Sequence, residues 1–110
     1  MYAVVGIHWI SRSRRADLER PITQATGHNN TIVIVFEDRV ELRSGWQGQN
    51  VENVKLRDVS AVGVRGFVNV TLTIENNTGR VYRLDRMALP DARRVKNAVE
   101  QQKSRASLYE

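Results

Sequence analysis

Val68-Asn-Val-Thr-Leu-Thr-Ile-Glu75 is the stretch that decides the fold class of this chain. Its four apolar residues alternate with four polar ones, so the segment repeats with a period of two. Because successive side chains of a β-strand point to opposite faces, this rhythm places one face on a core and the other in water. The segment is therefore predicted to be a strand of an antiparallel sheet.

A turn and a return strand follow this segment. Asn76-Asn-Thr-Gly79 has the composition of a hairpin turn, since Asn and Gly tolerate the left-handed backbone region. Val81–Arg86 then resumes the alternation, with Tyr82 and Leu84 on one face. The pattern predicts a long β-hairpin.

Further short strands are predicted upstream of the hairpin. Glu37-Asp38 reads as a tight turn and Ser44–Asn50 as a loop, because both break the apolar rhythm. The segments with strand signals are Tyr2–Ile10, Ile32–Phe36, Val40–Arg43, Val54–Leu56 and Val59–Arg65. The polar stretch Ser11–Asn30 shows no clear period and is predicted to be a connector.

The period changes from two to between three and four after the last strand. Pro90 suits the first turn of a helix, and Asp91 places a carboxylate near the positive helix end. An apolar stripe follows at helical spacing, formed by Ala92, Val95, Ala98 and Val99. We predict an amphipathic helix over about residues 90–104.

These elements predict one mainly β domain of about seven strands in two antiparallel sheets, capped by the C-terminal helix. The length of 110 residues is that of a single domain. Residues 1–30 are predicted to hold an N-terminal strand and a polar basic connector. Residues 31–110 are predicted to hold the β core and its helix.

Charge and composition favour a binding module over an enzyme. The chain has 17 basic and 12 acidic residues, a net charge of +5, and no cysteine. The absence of cysteine excludes disulfides and thiol catalysis and agrees with a cytoplasmic location. No apolar run approaches the length of a membrane span, and Tyr2–Ile10 lacks the flanks of a signal peptide.

Catalytic and metal-binding signatures are missing from the sequence. No nucleophile elbow, phosphate-binding loop or dinucleotide-binding glycine pattern is present. His8 and His28 are the only histidines and fall on different predicted elements, which argues against a metal site. We therefore expect no catalytic residues, no metal and no cofactor.

The chain resembles bacterial pleckstrin-homology-like (PH-like) domains over roughly residues 31–104. Thr31–Arg43 is similar to the paired opening strands of that family, and Val54–Val64 to its middle strands. Val68–Leu84 is similar to the long hairpin that follows, and Ala92–Gln102 to the closing helix. Including Tyr2–Ile10, the predicted strand count reaches the seven that are usual in the family.

The resemblance implies a barrel-like scaffold of two near-orthogonal sheets with a helix over one opening. Members of the family bind phosphoinositides, peptides or other proteins, and some bacterial members form ring-like oligomers. The long connector Ser11–Asn30 departs from the compact bacterial pattern. It remains open whether Tyr2–Ile10 is the first strand of the barrel or an added arm.

Arginines near both ends of the chain are candidates for binding an anionic ligand. Arg12, Arg14 and Arg15 form a basic loop where relatives that bind phosphoinositides hold phosphate, and they could clamp phosphate oxygens. A solvated loop is the alternative. A second candidate patch links the last strand to the helix and comprises Arg80, Arg83, Arg86, Arg93 and Arg94. Its alternative is a solvated surface with scattered ion pairs.

Trp46 is the candidate anchor for a protein partner. It lies between Gly45 and Gly48 in a predicted hairpin loop, and exposed tryptophans are frequent at interfaces. Its ring could instead fold back over the sheet edge. The favoured hypothesis is a non-catalytic PH-like module that mediates protein–protein interaction or self-assembly in a bacterial cytoplasm. The alternative is binding of a lipid headgroup or nucleic acid through the loop of residues 11–15.

Overall fold

A computed structural model of the protein describes residues 20–108. This part of the chain contains seven strands and a single α-helix, α1, which spans Leu89–Leu108. The strands are β1 (Thr23–Thr26), β2 (Ile32–Val35), β3 (Arg39–Ser44), β4 (Asn50–Lys55), β5 (Val59–Arg65), β6 (Asn69–Asn76) and β7 (Val81–Ala88). The predicted mainly β class with a C-terminal helix is confirmed.

The strands form two antiparallel meanders. One sheet has the order β1-β2-β3-β4 and the other has the order β5-β6-β7. No strand pairing joins the two sheets within residues 20–108, so the sheets do not close into one continuous hydrogen-bonded barrel. They are linked by other contacts, such as the ion pair of 2.7 Å between Arg80 Nη2 and Glu52 Oε1.

Two predicted hairpins are present in the fold. Glu37 and Asp38 connect β2 to β3, and the Phe36 N–H donates to the Arg39 carbonyl at 2.8 Å. At the second hairpin, the Asn76 N–H donates to the Arg80 carbonyl at 3.0 Å. Ile74 pairs with Tyr82 in the ladder between β6 and β7, as the two alternating patterns require.

The core lies between the two sheets and α1. The inward residues of β6 (Val70, Leu72 and Ile74) are buried. They share one cluster with the buried helix stripe of Ala92, Val95, Ala98 and Val99. Fully burying a valine or leucine side chain contributes about 1.5–3 kcal/mol to the free energy of folding. Burial of this stripe is therefore a main contribution to the packing of α1 against the sheets.

The helix begins where the sequence indicates and is longer than expected. Pro90 lies in its first turn, where a missing N–H costs nothing because no intrahelical partner exists there. Asp91 forms an ion pair of 3.0 Å with Arg94, three residues along the same helix. The observed end at Leu108 extends the predicted limit of about residue 104.

The first described strand was not predicted. β1 lies inside Ser11–Asn30, the segment interpreted as a connector. Ala25 is the one buried residue of β1, so the strand shows no apolar alternation and is held by pairing with β2, where Ala25 faces Val33. The described residues thus supply seven strands without Tyr2–Ile10, and the prediction for Tyr2–Ile10 lies outside them.

Two smaller boundaries also differ from expectation. Val68 was expected on the core face of a strand, but β6 begins at Asn69 and Val68 is exposed in the preceding turn. The strand predicted at Val54–Leu56 is observed at Asn50–Lys55, where it pairs with β3 along its length. In both places the pairing partner, and not the apolar pattern, sets the end of the strand.

Candidate partner-binding groove

An open groove runs between the edge strand β5 and the helix α1. β5 is an edge because it pairs with β6 on one side only. The groove has a volume of about 460 Å³. It is lined on the strand side by Val59, Ser60, Ala61 and Val62, and on the helix side by Lys96, Val99, Glu100, Lys103 and Ser104.

The groove has an apolar floor and a charged rim. Val59 and Val99 are buried, and Val62 is half-buried against the core. Lys96 pairs with Glu100 at 3.7 Å along the helix. Lys103 Nζ donates a hydrogen bond to the Val59 carbonyl, so this lysine joins the helix to the first residue of the strand.

The strand that lines the groove is free of charge over most of its length. Val59-Ser-Ala-Val-Gly-Val64 carries no ionisable side chain. Ser60 is an extra residue on β5, because Val59 pairs with Asn76 while Ala61 pairs with the adjacent Glu75. The Ser60 hydroxyl donates to the Glu75 carbonyl at 3.0 Å and so anchors the bulge.

The other three sheet edges in residues 20–108 carry side-chain contacts, charges or a bulge that oppose pairing with another chain. On β1, Arg94 Nη2 donates to the Gln24 carbonyl at 3.1 Å. β4 carries Glu52 and Lys55, and β7 contains three charged side chains and a bulge. Charged residues and bulges on edge strands discourage pairing with another chain. β5 has two such features, the Lys103 bond to the Val59 carbonyl and the bulge at Ser60, but both lie at its first two residues. The stretch Ala61–Val64 beyond them carries no charge, so it is the part of a sheet edge best suited to accept a further strand.

Trp46 is strongly exposed in the structure. It lies in a short 3-10 turn, Trp46–Gly48, between β3 and β4, and 76% of its surface is accessible. This exposure is incompatible with a ring folded back over the sheet edge. Its role as an anchor for a partner stays a prediction.

The arginines predicted on the last strand and the helix have different environments. Arg83 and Arg86 are exposed on β7, and Arg83 lies 3.6 Å from Asp85. Arg93 is exposed on α1. Arg94 donates a hydrogen bond to β1 and forms an ion pair with Asp91, so its guanidinium is engaged in contacts within the protein. The structure shows that these residues occupy two adjoining elements, and binding by them stays a prediction.

Arg12, Arg14 and Arg15 lie outside the described residues, as does His8. The hypothesis that residues 11–15 bind an anionic ligand therefore stays a prediction. Within residues 20–108, no group of three histidine or carboxylate side chains is arranged to hold a metal ion. In the same part of the chain, no helix is long and apolar enough to cross a membrane.

No protein-family model matches the chain, and no curated protein matches it in sequence.

The groove itself was missed by the sequence analysis. Its two walls are separated by more than thirty residues in the chain, and only the fold brings Val59 close to Lys103. One signal was available, because the uncharged run Val59–Val64 contrasts with the charged β3, β4 and β7. That contrast marks a strand without the charged side chains that usually protect a sheet edge against pairing.

Proposed function

We propose that this protein is a non-catalytic, PH-like binding module that recognises an extended segment of another protein chain. The bacterial, cytoplasmic setting belongs to the same proposal. The observation that carries it is the uncharged stretch Ala61–Val64 on the edge strand β5, beside an open groove. Two antiparallel sheets with a C-terminal helix are compatible with the PH-like family.

Strand addition is the mechanism that fits this groove. An extended segment can pair with the free N–H and C=O groups of β5, because an edge strand offers a row of them. Alternate side chains of the added segment then point towards Val62 and Val99 on the apolar floor. Main-chain hydrogen bonds would supply affinity, and the shape of the floor would supply selectivity.

The charged rim of the groove limits which residues of β5 can pair with the added segment. Lys103 already occupies the Val59 carbonyl, so pairing is expected to begin after this residue and to run towards Val64. Lys96 is half-buried beside the groove and is partly neutralised by Glu100. The edge strand of a second copy of this chain satisfies the same requirements, so self-assembly is one form of the proposed activity.

Site-specific photo-crosslinking in native cell extract tests the proposal. A photoreactive residue replaces Ser104, which lines the groove, or Glu37, which is exposed in the turn between β2 and β3 and does not line the groove. We expect a discrete adduct with one protein, or with a second copy of this chain, from position 104 only. Excess unlabelled wild-type protein should compete for the adduct.

A groove-filling variant provides the specificity control. Ala61→Trp places a large ring at the exposed strand wall of the groove and should no longer compete for the adduct. Circular dichroism of this variant checks that the fold is retained. Equal adducts from positions 37 and 104, or undiminished competition by a folded Ala61→Trp variant, would contradict strand addition at β5.

A further inference from the structure

The turn between β5 and β6 presents two large apolar side chains to solvent. Phe67 is 92% exposed and Val68 is 81% exposed, the highest values among the large hydrophobic residues that the structure describes. The two residues are adjacent in sequence and lie at the tip of a hairpin. Contiguous exposed apolar surface of this kind commonly marks an interaction site.

The backbone of this turn holds the two side chains away from the core. Gly66 has a φ of +116°, and a Cβ at this position would lie 2.9 Å from the Asn69 carbonyl oxygen. The turn is thus compact, with Val70 buried immediately after it. Phe67 and Val68 therefore project outward from the tip into solvent.

The surface next to the tip has an excess of positive charge. Arg65 immediately precedes the turn and is exposed, and Arg86 is exposed on the bulge of β7. Neither makes a hydrogen bond or an ion pair with another residue in the described part of the chain. Asp85 is the nearby carboxylate, and it accepts from Thr71 at 2.9 Å while lying 3.6 Å from Arg83.

We propose that the Phe67–Val68 tip inserts into the interface of an anionic lipid bilayer, with Arg65 and Arg86 contacting lipid headgroups. A bilayer accepts a convex apolar tip because the hydrocarbon deforms around it, whereas a protein partner must supply a preformed cavity. The flanking arginines match the negative surface of anionic lipids, and each such cation strengthens binding by about fivefold. This surface is separate from the β5 groove of the proposed function.

A single reporter dye tests the insertion directly. The chain has no native cysteine, so Phe67→Cys provides one labelling position for an environment-sensitive dye. Val81→Cys is the control, since Val81 is also an exposed apolar residue but lies at the end of β7 away from the tip, beside the β6–β7 turn. Vesicles of phosphatidylcholine with about 30% phosphatidylglycerol, a level that gives a negative surface potential, are compared with neutral vesicles.

We expect a blue shift and increased emission from the dye at position 67 with anionic vesicles, and little change at position 81. In co-sedimentation of unlabelled protein, the double variant Phe67→Ser with Val68→Ser should bind anionic vesicles at least tenfold more weakly. Arg65→Gln should weaken binding by about fivefold.

Two results would overturn the proposal. One is the absence of co-sedimentation with anionic vesicles at low salt. The other is co-sedimentation with no response from the dye at position 67, which would mean that another surface, such as residues 11–15, contacts the lipid. Neither result bears on the β5 groove, because the crosslinking experiment reads protein adducts at position 104 and their competition by Ala61→Trp, and neither depends on the Phe67–Val68 tip.

Discussion

Arg94 of α1 donates from Nε to Thr23 Oγ1 of β1 at 2.8 Å, across 71 positions of sequence. The same guanidinium donates to the Gln24 carbonyl at 3.1 Å and pairs with Asp91. α1 follows the second sheet directly in the chain, yet its first turns are tied to the edge strand of the first sheet. This contact therefore links the helix to both sheets and covers part of the β1 edge.

Loss of this contact should weaken the docking of the helix. Arg94→Ala removes two hydrogen bonds at an exposed site, so we expect a loss of about 1 kcal/mol in the free energy of unfolding, measured by urea denaturation. Faster amide exchange should be confined to β1 and the start of α1. Arg93→Ala is the control, because Arg93 has no bonded partner within residues 20–108. Equal losses in both variants would contradict this role.

A second prediction concerns the left-handed backbone of Arg86. Val70 pairs with Met87 while Leu72 pairs with Leu84, so β7 has one extra residue, and Arg86 adopts a φ of +52°. Left-handed backbone costs an L-residue about 1–2 kcal/mol, and glycine avoids this cost at a smaller entropic penalty. Arg86→Gly is therefore expected to raise the free energy of unfolding by about 0.5 kcal/mol.

The comparison variant at the same position is Arg86→Val. A β-branched residue is least tolerant of positive φ, so this variant should be less stable than Arg86→Gly by about 1–2 kcal/mol. Thermal unfolding of both proteins measures the difference. A valine variant as stable as the glycine variant would show that the bulge does not hold this residue in the left-handed region.

The side chain of Asn76 organises the β6–β7 turn. Its Oδ1 accepts from the N–H of Thr78 and from the N–H of Arg80, both at 3.0 Å, and from the Thr78 hydroxyl at 2.7 Å. Asn76→Ala should lower the free energy of unfolding by about 1–2 kcal/mol, because these donors lose their fixed partner.

Asn77→Ala is the matched control for the turn. The Asn77 side chain makes one long contact of 3.4 Å with Asp58, and its backbone N–H keeps its own bond to the Asp58 carbonyl. The loss should be about 0.5 kcal/mol or less. Urea denaturation of the two variants in parallel would refute the assignment if Asn77→Ala were the more damaging.

Elements with a strong local pattern could be predicted from the sequence. The alternation at Val70–Ile74, the Asn76–Gly79 turn and the helix start at Pro90 each follow from local chemistry, and the structure has all three. β1 could not be predicted, because its four residues bury one small side chain and gain their strand geometry from β2. Pairing with a distant strand leaves no signal in so short a segment.

Burial and surface contacts were harder to predict than elements. Glu41 falls at a polar position of an alternating strand, yet it is buried, with Arg43 Nε at 2.5 Å and Arg39 at 3.9 Å. Neighbouring long side chains on the outer face of the sheet cover it. The β5 groove was missed for a related reason, since its walls meet only through the packing of α1 on the second sheet.

The final prediction separates steric from conformational strain at two glycines. Gly66 and Gly79 both have positive φ, at +116° and +89°. A Cβ at Gly66 would meet the Asn69 carbonyl oxygen at 2.9 Å, whereas a Cβ at Gly79 would meet nothing within 4 Å. Gly79→Ala should therefore cost about 1 kcal/mol from left-handed backbone alone, and Gly66→Ala about 2–3 kcal/mol because the turn must also open.

Denaturant unfolding gives both costs, and amide exchange locates the change. For Gly66→Ala, faster exchange should be limited to the ends of β5 and β6, because the buried residues of the core are not altered. Equal costs for the two variants would show that the Gly66 turn relaxes freely. In that case the compact turn could not hold Phe67 and Val68 outward, and the exposure of the tip would not be imposed by its backbone.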